Sequence, residues 1–252
     1  MAKKNIKVIR YTNYPEGGAS ANFLKYLTLS LSLNKSNNVE VLIPNGFYYG
    51  DYKNKNKKGK VGDVTFRHLT FINHPQYVVG KVVSFLVNPF FLFFTLCISK
   101  FKKELDSVIL YNCFSQNLIV LFLARFFLRF KLIVIYPEFY EKPTSFFGRF
   151  RWNDFYFGIR YLSKFTNGDI VLTNYLKDYL ISQSINTKKK ILILPNIMSP
   201  EFFEYKNENP FKPDKITIGY TGTPTRKDGI NDLLKSFSII HKKHPNTHLL
   251  VV

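Results

Sequence analysis

Residues 107–136, SVILYNCFSQNLIVLFLARFFLRFKLIVIY, decide the fold class. SVILYN and KLIVIY are short and almost continuously apolar, and the stretch SQNLIVLFLARFFLR between them is helical in pattern. A strand, a helix and a second strand in that order describe a parallel pair with a crossover helix. Strands without a polar alternation are buried on both faces, as parallel strands are.

The same unit recurs in both directions from this stretch. NIKVIRY (5–11) reads as a first strand, TNYPEGGAS as a turn, and Phe23, Leu24, Leu27 and Leu31 then follow at helical spacing. VEVLIP (39–44) and VTFRHLTFI (64–72) are further strands, and GDYKNKNKKGK (50–60), with five lysines, is expected as a solvated loop. DIVLT (169–173), a helix from about Tyr175 and ILILPN (191–196) complete the series. The expectation for residues 1–195 is therefore an α/β domain, a Rossmann-like parallel sheet with helices on both faces. Residues 196–214 carry three prolines and little periodicity, and read as an interdomain linker. Residues 215–252 start a second unit: KITIGYTGTP is a strand and glycine turn, GINDLLKSFSIIHKKH a helix, and THLLVV another strand. Ile230, Leu233, Leu234, Phe237 and Ile240 share one side of that helix. Roughly 38 residues with one helix cannot bury a core of their own. An incomplete second Rossmann unit is the expectation for them.

Bulk properties narrow the function. The chain of 252 residues is 46% hydrophobic, enough for a true core and too apolar for disorder. Its net charge of +19 favours a polyanionic partner: nucleic acid, an anionic membrane or phosphorylated ligands. Cys97 and Cys113 lie in apolar runs at a spacing that fits no metal motif, and read as small buried hydrophobes. MAKKNIKVIRY passes from two lysines into a strand, so no cleavable signal peptide is expected there.

Candidate chemistry lies in the turns. Gly17 and Gly18 separate the first strand from the first helix, where backbone can approach a ligand and helix N–H groups attract anions. GYTGTPTRKDGINDLL (219–234) repeats that arrangement with cations: Gly219 and Gly222 bracket the strand end, Thr223 follows, and Arg226 and Lys227 precede the helix. Cations are disfavoured at a helix N-terminus unless an anion compensates them. Arg can fork onto two phosphate oxygens while Lys acts as a point charge, so the pair suits a diphosphate. Glu138 and Glu141 follow KLIVIY, at the strand ends where open parallel sheets place ligands. They suit sugar hydroxyls or a base role, or stand as solvated glutamates. Asn112, Ser115 and Gln116 occupy the equivalent loop one strand earlier. His68 is expected to face solvent within its strand, His74 lies in a loop, and His241, His244 and His248 gather at a helix end, where they complement the dipole. No catalytic triad and no metal constellation is visible.

Two segments bear on membranes. VVSFLVNPFFLFFTLCI (82–98) is nearly long enough to span a bilayer, but Asn88-Pro89 interrupts it. Asn88 as a cap and Pro89 in the first turn predict one buried helix. SFFGRFRWNDFYFGIRYLSKF (145–165) interleaves aromatics with Arg149, Arg151, Arg160 and Lys164. That mixture suits an interfacial helix on anionic lipid, single-stranded nucleic acid, or a core helix with snorkelling cations.

With these residues in hand, the chain resembles the GT-B glycosyltransferases of glycosyltransferase family 4. PEGGASANFLKYL is similar to the glycine loop and first helix of the family's acceptor-side domain. ILILPNIMSPEFF is similar to its closing strand and Pro-Asn linker start, with Ile197 where glycine is commoner after Asn196. IGYTGTPTRKDGINDLLKSF looks like the opening of the donor domain. The resemblance implies transfer of a sugar from a nucleotide-sugar donor, with retention of configuration and no cofactor or required metal. It implies that Arg226 and Lys227 hold the donor diphosphate, with Gly18 also contacting donor. The family's E-x7-E segment does not occur in these 252 residues, and its histidine after the acceptor-domain strands is not evident, with YPEFYE in that neighbourhood. The expected partners are a nucleotide-sugar donor, a glycan or polyprenyl-linked acceptor, an anionic membrane surface and a separate polypeptide carrying the rest of the donor domain. Nucleic acid is not expected, because no helix-turn-helix, zinc or RNA-binding signature appears. The other class is a non-catalytic membrane- or polyanion-binding remnant. The expected location is the cytoplasmic face of a bacterial membrane.

Overall fold

A computed structural model describes residues 3–11, 14–44, 56–70, 78–140, 146–183, 190–197, 216–222 and 229–252. The chain divides into two compact units, Met1–Pro200 and Glu201–Val252.

The first unit is built on one sheet of eight strands. In chain order they are β1 (Lys4–Ile9), β2 (Asn37–Ile43), β3 (Lys58–Val61), β4 (Val64–His68), β5 (Ser107–Tyr111), β6 (Lys131–Tyr136), β7 (Gly168–Val171) and β8 (Ile191–Ile193). In space the order is β3-β4-β2-β1-β5-β6-β7-β8, parallel throughout except for the β3–β4 pair. The helices are α1 (Ala19–Leu33), α2 (Val78–Phe101), α3 (Ser115–Leu128), α4 (Phe146–Phe157) and α5 (Asn174–Gln183).

The period-2 geometry of a strand sends neighbouring apolar residues to opposite faces. Val8, Val41, Ile109 and Ile135 pack with Phe23, Leu24 and Leu27 of α1. Ile9, Leu42, Leu110 and Val134 pack with Leu92 and Leu96 of α2 and Leu118 and Leu121 of α3. Continuous apolar strands thus supply two cores, one per face. A charged clip crosses β1, β2 and β4: Lys7 Nζ meets Glu40 at 2.6 Å and Arg67 Nε meets the other oxygen at 2.8 Å. Lys7 is buried, so its half of the clip is shielded from solvent, whereas Arg67 is partly exposed.

Three expectations need correction. Residues 58–60 are not loop but the start of edge strand β3, turned onto β4 through Gly62 and Asp63. Gly62 sits at φ +55°, and a side chain on Gly59 would strike the Phe66 ring at 2.7 Å. Lys35 and Lys60 lie on the exposed Asp63 and hold its carboxyl below the usual range. His68 does not face solvent. It shares the α1-facing side of β4 with Val64 and Phe66, between β2 and β3, and is buried. Asn88 does not cap a helix. Helix α2 begins ten residues earlier and runs through Pro89, with Asn88, Leu92, Leu96 and Ser99 forming its inward stripe. Nor is that helix fully buried, because much of its other side is exposed. Among the described residues no helix is long and apolar enough to cross a membrane.

Segment 145–165 is part core. Phe155 and Ile159 are buried, while Phe150, Phe157 and Tyr161 are exposed. Helix α4 passes into a π-helical turn, Gly158–Leu162, that presses on the loop after β5. Trp152 Nε1 donates to the Tyr140 carbonyl at 2.9 Å.

The second unit pairs β9 (Ile216–Tyr220) and β10 (Thr247–Val251) in parallel, joined by α6 (Ile230–Lys243). Its buried residues are few among those described, Ile230 and Thr247. The last turn of α6 carries His241, Lys242 and Lys243, as a helix C-terminus favours.

A Cβ at Gly158 would lie 2.1 Å from the Cys113 carbonyl oxygen, a backbone atom that cannot move aside cheaply. Gly158→Ala is therefore expected to destabilise by about 2 kcal/mol. At an unobstructed helical glycine the same change has the opposite sign, by up to about 1 kcal/mol. Urea unfolding checks this, and a midpoint at or above wild type would contradict the packing.

Candidate functional site

The strand order reverses between β1 and β5: from β1 the chain builds outward to β2 and β4, and from β5 outward to β6, β7 and β8. Open parallel sheets bind ligands in the crevice outside the carboxyl ends at such a point. Arg10 and Tyr111 stand at those two strand ends.

Arg10 extends the inward series Ile6, Val8 of β1 by one more position, and is only 3% exposed. Its guanidinium carbon lies 5.5 Å from the centre of the Tyr111 ring. Nη2 donates to Ser20 Oγ at 3.0 Å. Among the described residues Nε and Nη1 have no hydrogen-bond partner. Burial lowers the Arg10 pKa to about 10, partly countered by Tyr111, so the group stays charged at neutral pH. A buried charge with free donors is costly unless something compensates it.

The helix terminus beside it adds positive charge and does not compensate it. Helix α1 starts next to Arg10, and its first turn has no acidic residue. Gly18 stands at its N-cap position with no side chain to occupy the free N–H groups, and a Cβ there would meet open space. Gly17 lies at φ +152°, a conformation that favours glycine. Tyr14 anchors this turn in the core through a 2.9 Å bond between its hydroxyl and Thr28 Oγ1. Helix dipole, bare N–H groups and guanidinium all point to an oxyanion ligand.

The other side of the crevice is polar and aromatic. Ser20 also hydrogen-bonds Tyr111, whose hydroxyl pKa is raised by burial, lowered by Arg10 and raised again by Glu138. Glu138, just after β6, thus lies within electrostatic reach of Tyr111. Asn112 sits at φ +80° and donates through Nδ2 to the Tyr140 hydroxyl at 3.0 Å. Ser115, which opens α3, hydrogen-bonds Asp154 of α4.

The structure brings together Gly17, Gly18 and the neighbourhood of Glu138, and adds Arg10, Ser20 and Tyr111, which the sequence reading passed over. The signal was present in KVIRY: an arginine falls where the alternation calls for a buried residue. Asn196 is exposed after β8, four strand spacings of roughly 4.8 Å from β1, and stands apart from the crevice. In the second unit Gly222 follows β9 at φ +138°, with its N–H on the Val252 carbonyl at 3.0 Å. Glu141, Thr223, Arg226 and Lys227 lie outside the described residues. Among the described residues no group of His, Cys, Asp or Glu is placed to hold a metal ion.

No family model matches the sequence, and no curated protein matches it. Solved structures do. An α,α-trehalose-phosphate synthase (UDP-forming) from Burkholderia vietnamiensis superposes with a TM-score of 0.64 at 11% identity, over 100% of this chain and 64% of that one. UGT2 of Phytolacca americana, complexed with UDP-2-fluoro-glucose and pterostilbene, gives 0.59 at 9%, over 100% and 72%. The UDP-GlcNAc 2-epimerase of Neisseria meningitidis, bound to UDP-GlcNAc, gives 0.54 at 14%, over 98% and 65%. The chain thus spans less than two thirds of the synthase and of the epimerase. At these identities the likeness establishes the fold, the GT-B type with its Rossmann-like α/β sheet.

Arg10→Met is expected to leave the unliganded chain as stable as wild type or more so. The change gives up a cation–π contact and one hydrogen bond, together about 2 kcal/mol. It also removes a desolvated charge with two unsatisfied donors, a cost of similar or larger size. Thermal unfolding in chloride buffer measures the difference. A loss of more than about 3 kcal/mol would mean that the guanidinium is a structural keystone and not a waiting ligand group.

Proposed function

We propose that the chain is a nucleotide-sugar-dependent glycosyltransferase, or a fragment of one, of the family 4 type. Residues 1–195 would form the acceptor-side domain, 196–214 the linker and 215–252 the start of the donor domain. The reaction would move a sugar from its nucleoside diphosphate to a glycan or polyprenyl-linked acceptor in bacterial surface polysaccharide synthesis. The UDP and UDP-sugars named for the Phytolacca and Neisseria proteins make uridine the first nucleotide to try.

The observation that carries this reading is the buried guanidinium of Arg10, with free donors, beside a bare helix N-terminus at the strand-order switch. Phosphoryl oxygens match that donor set. On the family 4 resemblance, Arg226 and Lys227 would hold the donor diphosphate. Negative charge on the diphosphate grows as the glycosidic bond breaks, so cations there act more on the transition state than on bound donor. Glu138 and Glu141 would take sugar or acceptor hydroxyls, with Gly17, Gly18, Gly222 and Thr223 letting backbone come close. The stereochemical outcome would be retention.

Equilibrium titration of the 252-residue chain with UDP and a panel of nucleotide sugars tests the binding half. Saturable binding that weakens at least tenfold in Arg10→Met is expected, a loss of about 1.4 kcal/mol or more. Absence of saturable binding to every nucleotide would sink the reading. For turnover, Arg226→Ala and Lys227→Ala in the native enzyme should each lower kcat roughly a hundredfold, with Arg226→Lys only partly restoring it because the bidentate fork is lost. Alanine variants that keep wild-type rates would remove the diphosphate role.

A further inference from the structure

The outward side of α2 is the most unusual surface of the first unit. Val83, Leu86, Phe90, Phe94, Ile98 and Phe101 are all exposed, at successive spacings of three or four residues. They form one stripe along about 27 Å of helix. Phe90 is 66% exposed, Phe94 61% and Phe101 87%. A helix that packs on a sheet normally turns charged residues outward, yet residues 82–99 contain no charge at all. Helix α3 lies alongside and continues the surface with Ile119, Leu123, Phe126 and Phe127, Phe126 being 79% exposed.

Charge gathers at one end of this surface. Lys100 at the end of α2 is followed by Lys102 and Lys103, and Arg125 at the end of α3 by Arg129 and by Lys131 at the start of β6, against Glu104 and Asp106. Between the end of α3 and residues 164–166 lies a groove of about 760 Å³, lined by Arg125, Phe126, Arg129, Lys131, Lys164 and Phe165. Arg125 donates to the Phe165 carbonyl and so holds the two sides of the groove together. Basic and aromatic lining in one groove fits an anionic headgroup with hydrocarbon beside it.

We infer that the α2–α3 face is the surface by which this chain lies on an anionic phospholipid bilayer, phenylalanines in the acyl boundary and the basic end on the headgroups. This holds whether or not the chain transfers sugar. Charge selects the occupant. Two copies of a chain carrying +19 would bring like charges together at this face, whereas anionic headgroups complement the cations that border it. An apolar stripe without polar breaks fits hydrocarbon better than the polar-rimmed patch of a protein interface. Of the aromatic-basic segment 145–165 only Lys164 and Phe165 reach this face, at the groove, while Phe155 and Ile159 are committed to the core.

Flotation of the full 252-residue chain with phosphatidylcholine vesicles, with and without phosphatidylglycerol, tests the inference. The chain should partition at least tenfold more strongly onto the anionic vesicles, and less as salt rises. Phe90→Asp/Phe94→Asp should reduce that partition at least tenfold. So should Phe126→Asp on the neighbouring helix, an independent check should the first pair fold poorly. Failure to bind anionic vesicles overturns the inference. So does binding that both sets of variants retain, or binding lost only on changing Arg149, Arg151 and Arg160. Self-association through this face in sedimentation, with no vesicle binding, would assign it to a second copy and overturn it equally.

Discussion

The structure turns on a cation held almost out of solvent at the strand-order switch. Arg10 continues the buried face of β1 at the point where the strand order reverses, and its guanidinium is left with donors that the described protein does not use. Folding the sheet therefore builds in an electrostatic demand. The N-terminus of α1 adds partial positive charge, Gly17 and Gly18 keep its N–H groups bare, and Tyr111 supplies the ring beneath the cation. Each of these is a local choice of residue, yet they converge only because parallel order puts the ends of β1 and β5 side by side.

The sheet has two further consequences. Its faces are served by different helices, α1 on one and α2 with α3 on the other. The crevice and the α2–α3 face thus belong to different parts of the fold. The crevice is at the carboxyl ends of the strands, whereas the cations at the ends of α2 and α3 stand near the beginnings of β5 and β6. A bilayer bound there would leave the crevice uncovered.

Much of the fold was legible because parallel strands advertise themselves. Val8-Ile9, Val41-Leu42 and Val108-Ile109-Leu110 are apolar on both faces, and only a sheet covered on both sides accommodates them. What escaped was decided by neighbours. His68 is buried because it falls in phase with Val64 and Phe66 on the α1-facing side of β4, and β3 itself hid inside a lysine-rich stretch despite the Gly62-Asp63 turn. Asn88-Pro89 carries a helix-start signal, but the inward stripe keeps its phase through the proline and packing overrides the local rule. Of the candidate site, the glycine turn could be read from sequence. Arg10, Ser20 and Tyr111 could not be joined without knowing which strands are neighbours.

The most direct measurement follows the Arg10 side chain itself. In a nitrogen–proton NMR spectrum the Arg10 Nε–H signal, assigned by its loss in Arg10→Met, can be followed as UDP is added at constant ionic strength. The expected result is a saturable shift of that signal, with slower hydrogen exchange, at the concentration where the bulk of the nucleotide binds. A signal that stays in place while nucleotide binds elsewhere, or while none binds, would contradict the oxyanion role at the centre of the proposed function.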